Sequence, residues 1–449
     1  MWRSEREETM RTPLSRVLVL CAAALLAGGC AVEEEPAEVS RLLPNGARIL
    51  VKENRASDVV AVQAWVADGA LYESPEEAGA AYLLSQMMFS RTVEPEMGEL
   101  PRAIELLGGS AAVNPRHDFV EYAAVAPSEH FDVLVDLMVG GLSNAVFDSS
   151  RFEEERRNAL SSIRSIGQRP MERAHLICIS ELLEGHPYGR PVQGTVEALV
   201  TLDLDDIRQR YERVYTGSNL LISVAGAVDP MDAADKIEER LSEISPGEPA
   251  VPAAPPIEWP SERRRVEREA EVSTGYEVMC FPAPSIVDEE SITMDVLLIV
   301  LSGGRSSRLE RVLSEEHQLV SAVEAGWYTL RQPSPLFVWM EVAPDDARDA
   351  ELAVRALFEE LEQREVAEQE LEKAKTYWKT QLYFLTETAQ GQAFYDAYWT
   401  FLGWPELPDE YMEKIEDVTP ADVKEAATKY FGSGAYATAL LLPEWADTE

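Results

Sequence analysis

Histidine is scarce in this chain, with five in 449 residues. They stand at His117, His130, His175, His186 and His317, and no two are four residues apart. That spacing excludes the helical pair that would put two imidazoles on one face for a metal. His117 and His130 read as surface polar groups. Cysteine is as sparse, with four in all. Cys178 and Cys280 each sit in an apolar setting, in different halves of the chain, and read as buried free thiols. Basic residues are outnumbered, 40 Lys and Arg against 80 Asp and Glu, for a formal charge of −40. This balance argues against nucleic acid and repels anionic membrane surfaces; a solvated acidic exterior accounts for it. No Cys-x-x-Cys pair, glycine-rich phosphate loop or Ser-His-Asp order stands out.

Apolar residues make up 46 % of the chain, enough for two or three domains with real cores. The N-terminus has the form of a targeting segment. Arg11 and Arg16 precede an apolar run from Val17 to Ala27, which contains Cys21, and Gly28-Gly29-Cys30 follows. The run is too short for a permanent membrane anchor and reads as a signal peptide. Leu26-Ala27-Gly28-Gly29-Cys30 resembles a bacterial lipobox, with Cys30 as the lipidated residue; an ordinary cleaved signal with an incidental cysteine is the alternative. These features divide the chain into a leader (1–30), an acidic tether (31–40), a first domain (41–244), a proline-rich linker (245–262) and a second domain (263–449).

The second half repeats the first weakly. Asp203 and Asp206 open one helix, Thr419 and Asp422 another, each as a capping residue with an acid three positions later. Each helix ends in aromatics and is followed by a small-residue turn and an apolar strand. Earlier in the chain, 47–51, 59–67 and 119–125 read as strands, and Ser128 to Ala145 as one long amphipathic helix.

One stretch organises the first half: Glu77-Ala-Gly-Ala-Ala-Tyr82-Leu-Leu-Ser85-Gln86-Met-Met-Phe-Ser-Arg-Thr92. It reads as a buried helix, with Ser74 and Glu77 forming a capping box around Pro75. It also resembles the signature helix of the insulinase/pitrilysin family of inverted-motif zinc peptidases, G-x-A-H-x-x-E-H-M-x-F-x-G-T. Gly79, Ala81, Met87, Phe89 and Thr92 fall on the framework positions. The chemical positions differ: the first His is Tyr82, the Glu is Ser85 and the second His is Gln86. Two histidines four apart can share a zinc while the Glu serves as general base. Tyr, Ser and Gln supply neither imidazole nor carboxylate.

The other positions that the resemblance assigns follow the same trend. The third zinc ligand falls on Ser162, although Glu155-Arg156 earlier in that helix matches the family; Glu155 itself reads as a helix-surface carboxylate. The substrate-pairing edge strand falls on 108–115, with Ala112 for Asn, Val113 for Ala and Pro115 for Thr. Pro115 lacks a backbone donor and would interrupt strand addition. Leu301-Ser-Gly-Gly304-Arg305-Ser306-Ser307-Arg308-Leu309 matches the family closely, but the Arg and Tyr expected to clamp substrate are Ser314 and Ser321.

The resemblance implies an α+β fold of two homologous domains, each a mostly antiparallel sheet covered by helices, facing each other across a cleft. It implies a zinc site in active members; here the ligands are missing, so no cofactor is expected. Three functions are open. The chain is a non-catalytic cell-envelope subunit paired with a zinc-bearing homologue in a peptide-processing complex, an envelope scaffold that binds peptide or unfolded protein, or an active zinc metalloendopeptidase with an unrecognised site. The leader implies export to the periplasm or outer membrane, with the lipid on Cys30 as the membrane contact.

Overall fold

The computed structural model describes residues 37–90, 92–94, 98–143, 145–252 and 256–444. Cys30, the leader and most of the tether lie outside the described residues. The described residues from Glu38 to Glu444 fold as one unit built on two main sheets.

The first half runs β1 (Glu38–Leu42), β2 (Arg48–Glu53), β3 (Val59–Val66), α1 (Ala80–Phe89), the short β4 (Thr92–Glu94) and β5 (Gly98–Glu99), α2 (Leu100–Leu106), β6 (Ser110–Pro115), β7 (Val120–Pro127), α3 (Phe131–Met138), α4 (Ser149–Gln168), α5 (Pro170–Leu182), α6 (Val196–Thr201), α7 (Leu204–Val214), β8 (Leu220–Gly226) and α8 (Pro230–Leu241). The second runs β9 (Arg264–Ala270), β10 (Gly275–Ala283), α9 (Glu290–Ser302), a π-helical segment (Glu310–Glu316), β11 (Val320–Trp327), β12 (Ser334–Val342), α10 (Ala347–Gln363), α11 (Glu368–Thr386), α12 (Ala389–Leu402), α13 (Leu407–Asp417), α14 (Pro420–Phe431) and β13 (Ala437–Pro443).

The sheets have one plan. The first is ordered β1-β2-β8-β3-β7-β6, and the second, read from its other end, β9-β13-β10-β12-β11. In both, the last strand of the half enters between earlier ones, parallel to one neighbour and antiparallel to the other. The repeat seen in the sequence is realised at the level of single bonds. Asp203 and Asp206 form a capping box on α7, and Thr419 and Asp422 form one on α14, each leading to the inserted strand.

Each half lends a helix to the other. α5 packs on β10 and β13, and α12 packs on β3 and β8. The inserted strands are therefore buried on both faces, which explains their unbroken apolar runs: every residue of β8 and of β13 is buried. At one crossing Ser223 Oγ donates to the Ala393 carbonyl at 2.8 Å and Gln63 Nε2 to the Gln390 carbonyl at 3.0 Å. At the other, Cys178 on α5 and Cys280 on β10 are joined as a disulfide, with Cα atoms 6.2 Å apart. This corrects the reading of two free thiols. Separation into different halves does not keep them apart, because α5 crosses to the other sheet.

Two local expectations also change. The helix expected over Ser128 to Ala145 is broken: a 3-10 turn at Ser128–His130 leads into α3, and another occupies Gly140–Leu142. The glycine pair at 140–141 disfavours continued α-helix. The proline-rich segment is anchored at its start, where Ser218 and Asn219 bond the backbone of Pro246, Gly247, Glu248 and Ala250.

Candidate functional site

Ser74 and Glu77 do bond each other reciprocally at 3.3 Å, but they close a turn, and α1 begins only at Ala80. The chain turns into the helix at Gly79, where a φ of +100° opposes any side chain and an added Cβ would come within 2.5 Å of the Gln193 carbonyl oxygen. The cap is Glu73. Its buried carboxylate accepts from the backbone N–H of Gly79 and, at 2.9 Å, of Ala81, and it faces Arg190 at 3.3 Å. Just before it, Asp68 and Arg210 form a buried ion pair that ties the entry loop to α7. The start of α1 is thus rigidly held.

Along α1, Tyr82 is half-buried, Ser85 is fully buried and Gln86 is half-buried. Ser85 Oγ donates back to the Tyr82 carbonyl at 2.7 Å, a bond internal to the helix. α4 packs against α1 and carries both Glu155 and Ser162. Glu155 is not the surface carboxylate expected: it is 8 % exposed and accepts from Ser90 Oγ and Asn158 Nδ2, both at 3.1 Å. Burial first, and then the Glu155 charge, push the Tyr82 hydroxyl above the ordinary tyrosine value. Ser162 lies about two turns further along the same helix, half-buried. The two helices that should carry the metal ligands are therefore packed together. The donors they offer are a phenol, an amide, hydroxyls and one carboxylate already bonded to two neighbours. That set does not fit zinc, which takes imidazole, thiolate or free carboxylate.

β6 forms the outer edge of the first sheet and packs beside α1. Ala112 is exposed and Val113 half-buried; Pro115 is the strand's last residue, so residues 110–114 precede it along an open edge. On the other half, Ser314 lies in the π-helical segment and Ser321 at the start of β11, where its Oγ donates to the Glu341 carbonyl at 3.3 Å. Arg308, from the well-matched glycine-rich segment, makes a two-pronged pair with Glu370, both bonds at 2.8 Å.

Between the halves, the β6–β7 turn, α5, the β11–β12 turn and α12 enclose a cavity of about 530 Å³. His117 lines it, which corrects its reading as a surface group. It stands 3.1 Å from the Arg190 carbonyl, and burial pushes it down to about 4. His175 is pushed down to about 4 by the same cause; it accepts from Trp339 Nε1 and lies 2.8 Å from the Tyr328 hydroxyl. Both imidazoles are neutral at pH 7. The sequence carried no signal for this pair, since the turn that holds His117 packs against the β11–β12 turn of the other half, where Tyr328 stands 6.0 Å from the imidazole and the Arg331 N–H donates to Asp118. Among the described residues no group of three or more His, Cys, Asp or Glu is placed to hold a metal ion.

Known proteins agree with this geometry. The family model described as "Insulinase (Peptidase family M16)" matches residues 48–196, and that described as "Peptidase M16 inactive domain" matches residues 201–377. The uncharacterized zinc protease YmxG of Bacillus subtilis is 23 % identical over 401 residues, which span 89 % of this chain and 97 % of that protein. The mitochondrial-processing peptidase subunit beta of Dictyostelium discoideum is 28 % identical over 203 residues, 45 % of this chain and 43 % of its own. Among solved structures, a protease from Helicobacter pylori superposes with a TM-score of 0.83 at 19 % identity, covering 91 % of this chain and all (100 %) of the other. A peptidase M16 inactive domain from Pseudomonas fluorescens does so with a TM-score of 0.81 at 18 % identity, covering 92 % of this chain and 99 % of the other. With both halves matched by models of one family and the two-sheet fold shared with its solved members, the chain belongs to the insulinase family, peptidase family M16.

Proposed function

We propose that this insulinase-family homologue is non-catalytic, binds no zinc, and acts in the cell envelope as the partner of a zinc-bearing homologue in peptide processing. The observation that carries the reading is the chemistry of Tyr82, Ser85, Gln86 and Ser162 on a helix pair that otherwise keeps the family's framework. The Cys178–Cys280 disulfide supports an oxidising compartment, in line with the leader and a lipid on Cys30. The open edge of β6 supports a second reading, an envelope protein that binds extended peptides without cutting them.

The test is purification from native membranes followed by elemental analysis and peptide-cleavage assays. A zinc-bearing homologue should co-purify and hold all the zinc. A chain that purifies alone yet retains peptides supports the second reading. One zinc per chain with chelator-sensitive cleavage would overturn both and make it an active peptidase.

A further inference from the structure

Beside the crossing helix α12, the second half holds a separate cavity of about 370 Å³. Its walls include Trp378 of α11, Tyr395, Tyr398 and Trp399 of α12, and Tyr411 of α13. The rings stand close: Tyr398 to Trp399 at 5.2 Å, Trp399 to Tyr411 at 5.8 Å and Tyr395 to Trp399 at 6.4 Å between centroids. Asp295 of α9 lines the same cavity and is 6 % exposed.

Asp295 is the unusual member. Its carboxylate accepts from the Tyr411 hydroxyl at 2.5 Å and from Trp327 Nε1 at 3.1 Å, and no Lys or Arg pairs with it among the described residues. Burial of a carboxylate is costly unless an opposite charge answers it. Burial pushes Asp295 up to about 6, which leaves it largely ionised at pH 7. Asp396 and Asp409 add to the negative potential felt at Tyr395, and of these Asp396 is answered by Lys52 at 3.3 Å. The buried Trp399 indole N–H faces the Tyr395 hydroxyl oxygen, and the Tyr395 O–H finds no acceptor among the described residues.

We propose that this cavity binds a small quaternary ammonium alcohol of the choline type, with its cation among the rings beside Asp295 and its oxygen accepting from the Tyr395 hydroxyl. Aromatic faces attract cations, and quaternary ammonium groups are well suited to such cages. Each Asp295 oxygen already accepts one hydrogen bond, which leaves about one lone-pair site on each, fewer acceptors than the three N–H donors of a primary ammonium need, whereas a quaternary ammonium needs none and uses only the charge. The proposal goes beyond the reading of α1 and does not depend on it.

The test is calorimetric titration of the purified protein with choline, with tetramethylammonium, and with 3,3-dimethylbutan-1-ol, which has the shape of choline without the charge. Choline should bind saturably at one site, and the uncharged alcohol at least about tenfold more weakly. Asp295→Asn should weaken choline about tenfold and leave the alcohol unchanged. Tyr395→Phe should weaken choline several-fold and leave tetramethylammonium unchanged, since only choline offers the oxygen. Circular dichroism checks the fold of each variant, and the comparison of the three ligands on the parent protein decides the matter if a variant fails to fold. The proposal is overturned if choline shows no saturable binding up to about 10 mM, or if the alcohol binds as tightly.

Discussion

Cys178 on α5 and Cys280 on β10 are covalently joined although 102 residues separate them, and the bond ties a helix of the first half to the sheet of the second. It lies in an apolar cluster drawn from both halves, with Leu71, Ile179, Tyr188, Val278 and Phe337. Cross-linking a loop of that length removes much entropy from the unfolded chain. Reduction, or Cys178→Ser, should cost roughly 3–5 kcal/mol in unfolding free energy. Urea unfolding with and without reductant measures it. Identical midpoints for both would show that the crossing is held by packing alone.

Arg210 and Asp68 are 1 % and 0 % exposed at their side chains. Among the described residues, Arg210→Met leaves the Asp68 carboxylate buried with only the Gly69 N–H donating to it, and should destabilise by about 3–5 kcal/mol. Adding Asp68→Asn removes the stranded charge and should recover part of that loss. Denaturant unfolding of the two single variants and the double variant supplies the cycle. A double variant as unstable as the sum of the singles would mean the pair acts independently.

What the sequence made legible is what short-range chemistry controls. The capping boxes at Asp203/Asp206 and Thr419/Asp422 could be read because every atom involved lies within four residues. The framework of α1 could be read for the same reason. Glu73 as its cap could not, because Gly79 delays the helix and brings a carboxylate from outside the expected box. His117, Glu155 and the Cys178–Cys280 pair were misread together. Each is covered, His117 in part and the others fully, by a segment remote in sequence: the other half's turn, the packing of α4 on α1, and the crossing of α5. A pattern of polarity along one segment cannot register such burial.

Glu277 on β10 is 0 % exposed, and neither of its carboxylate oxygens has a hydrogen-bond partner among the described residues. Burial first, and then the neighbouring Glu351, push it up to about 8, against the pull of Arg265 and Arg263; Glu267 also raises it. The folded state keeps this proton to about pH 8, whereas the unfolded chain releases it near the ordinary value of 4.5. The unfolded state thus binds fewer protons between those values, and stability falls as pH rises through that window. Glu277→Gln stays neutral throughout. Its melting temperature should gain on the parent's steadily from pH 5 to pH 8, then hold level, in thermal scans across that range. Parallel curves would show that Glu277 is ionised in the folded protein.

The packing of α1 on α4 allows the missing metal site to be tested by restoring it. Ser85 is fully buried with its hydroxyl bonded inside the helix, so a glutamate there would bring an unpaired charge into the core. The first variant should therefore leave Ser85 alone and restore the three ligands that the resemblance assigns: Tyr82→His, Gln86→His and Ser162→Glu. All three positions are half-buried, and only Ser162→Glu adds much volume, since histidine is smaller than Tyr82 and close in size to Gln86. If the helices keep their register, this triple variant should bind one zinc, shown by titration calorimetry and by a rise in melting temperature with metal. Peptide cleavage should stay absent, because Ser85 offers no general base. Adding Ser85→Glu completes the quartet. Cleavage should remain poor even then, since Ser314 and Ser321 cannot clamp a peptide as the Arg and Tyr of active relatives are expected to. A folded triple variant without affinity for zinc would mean that Ser162 does not face Tyr82 and Gln86. Efficient cleavage by the quadruple variant would mean that the cleft has kept a working substrate site, against the partner reading.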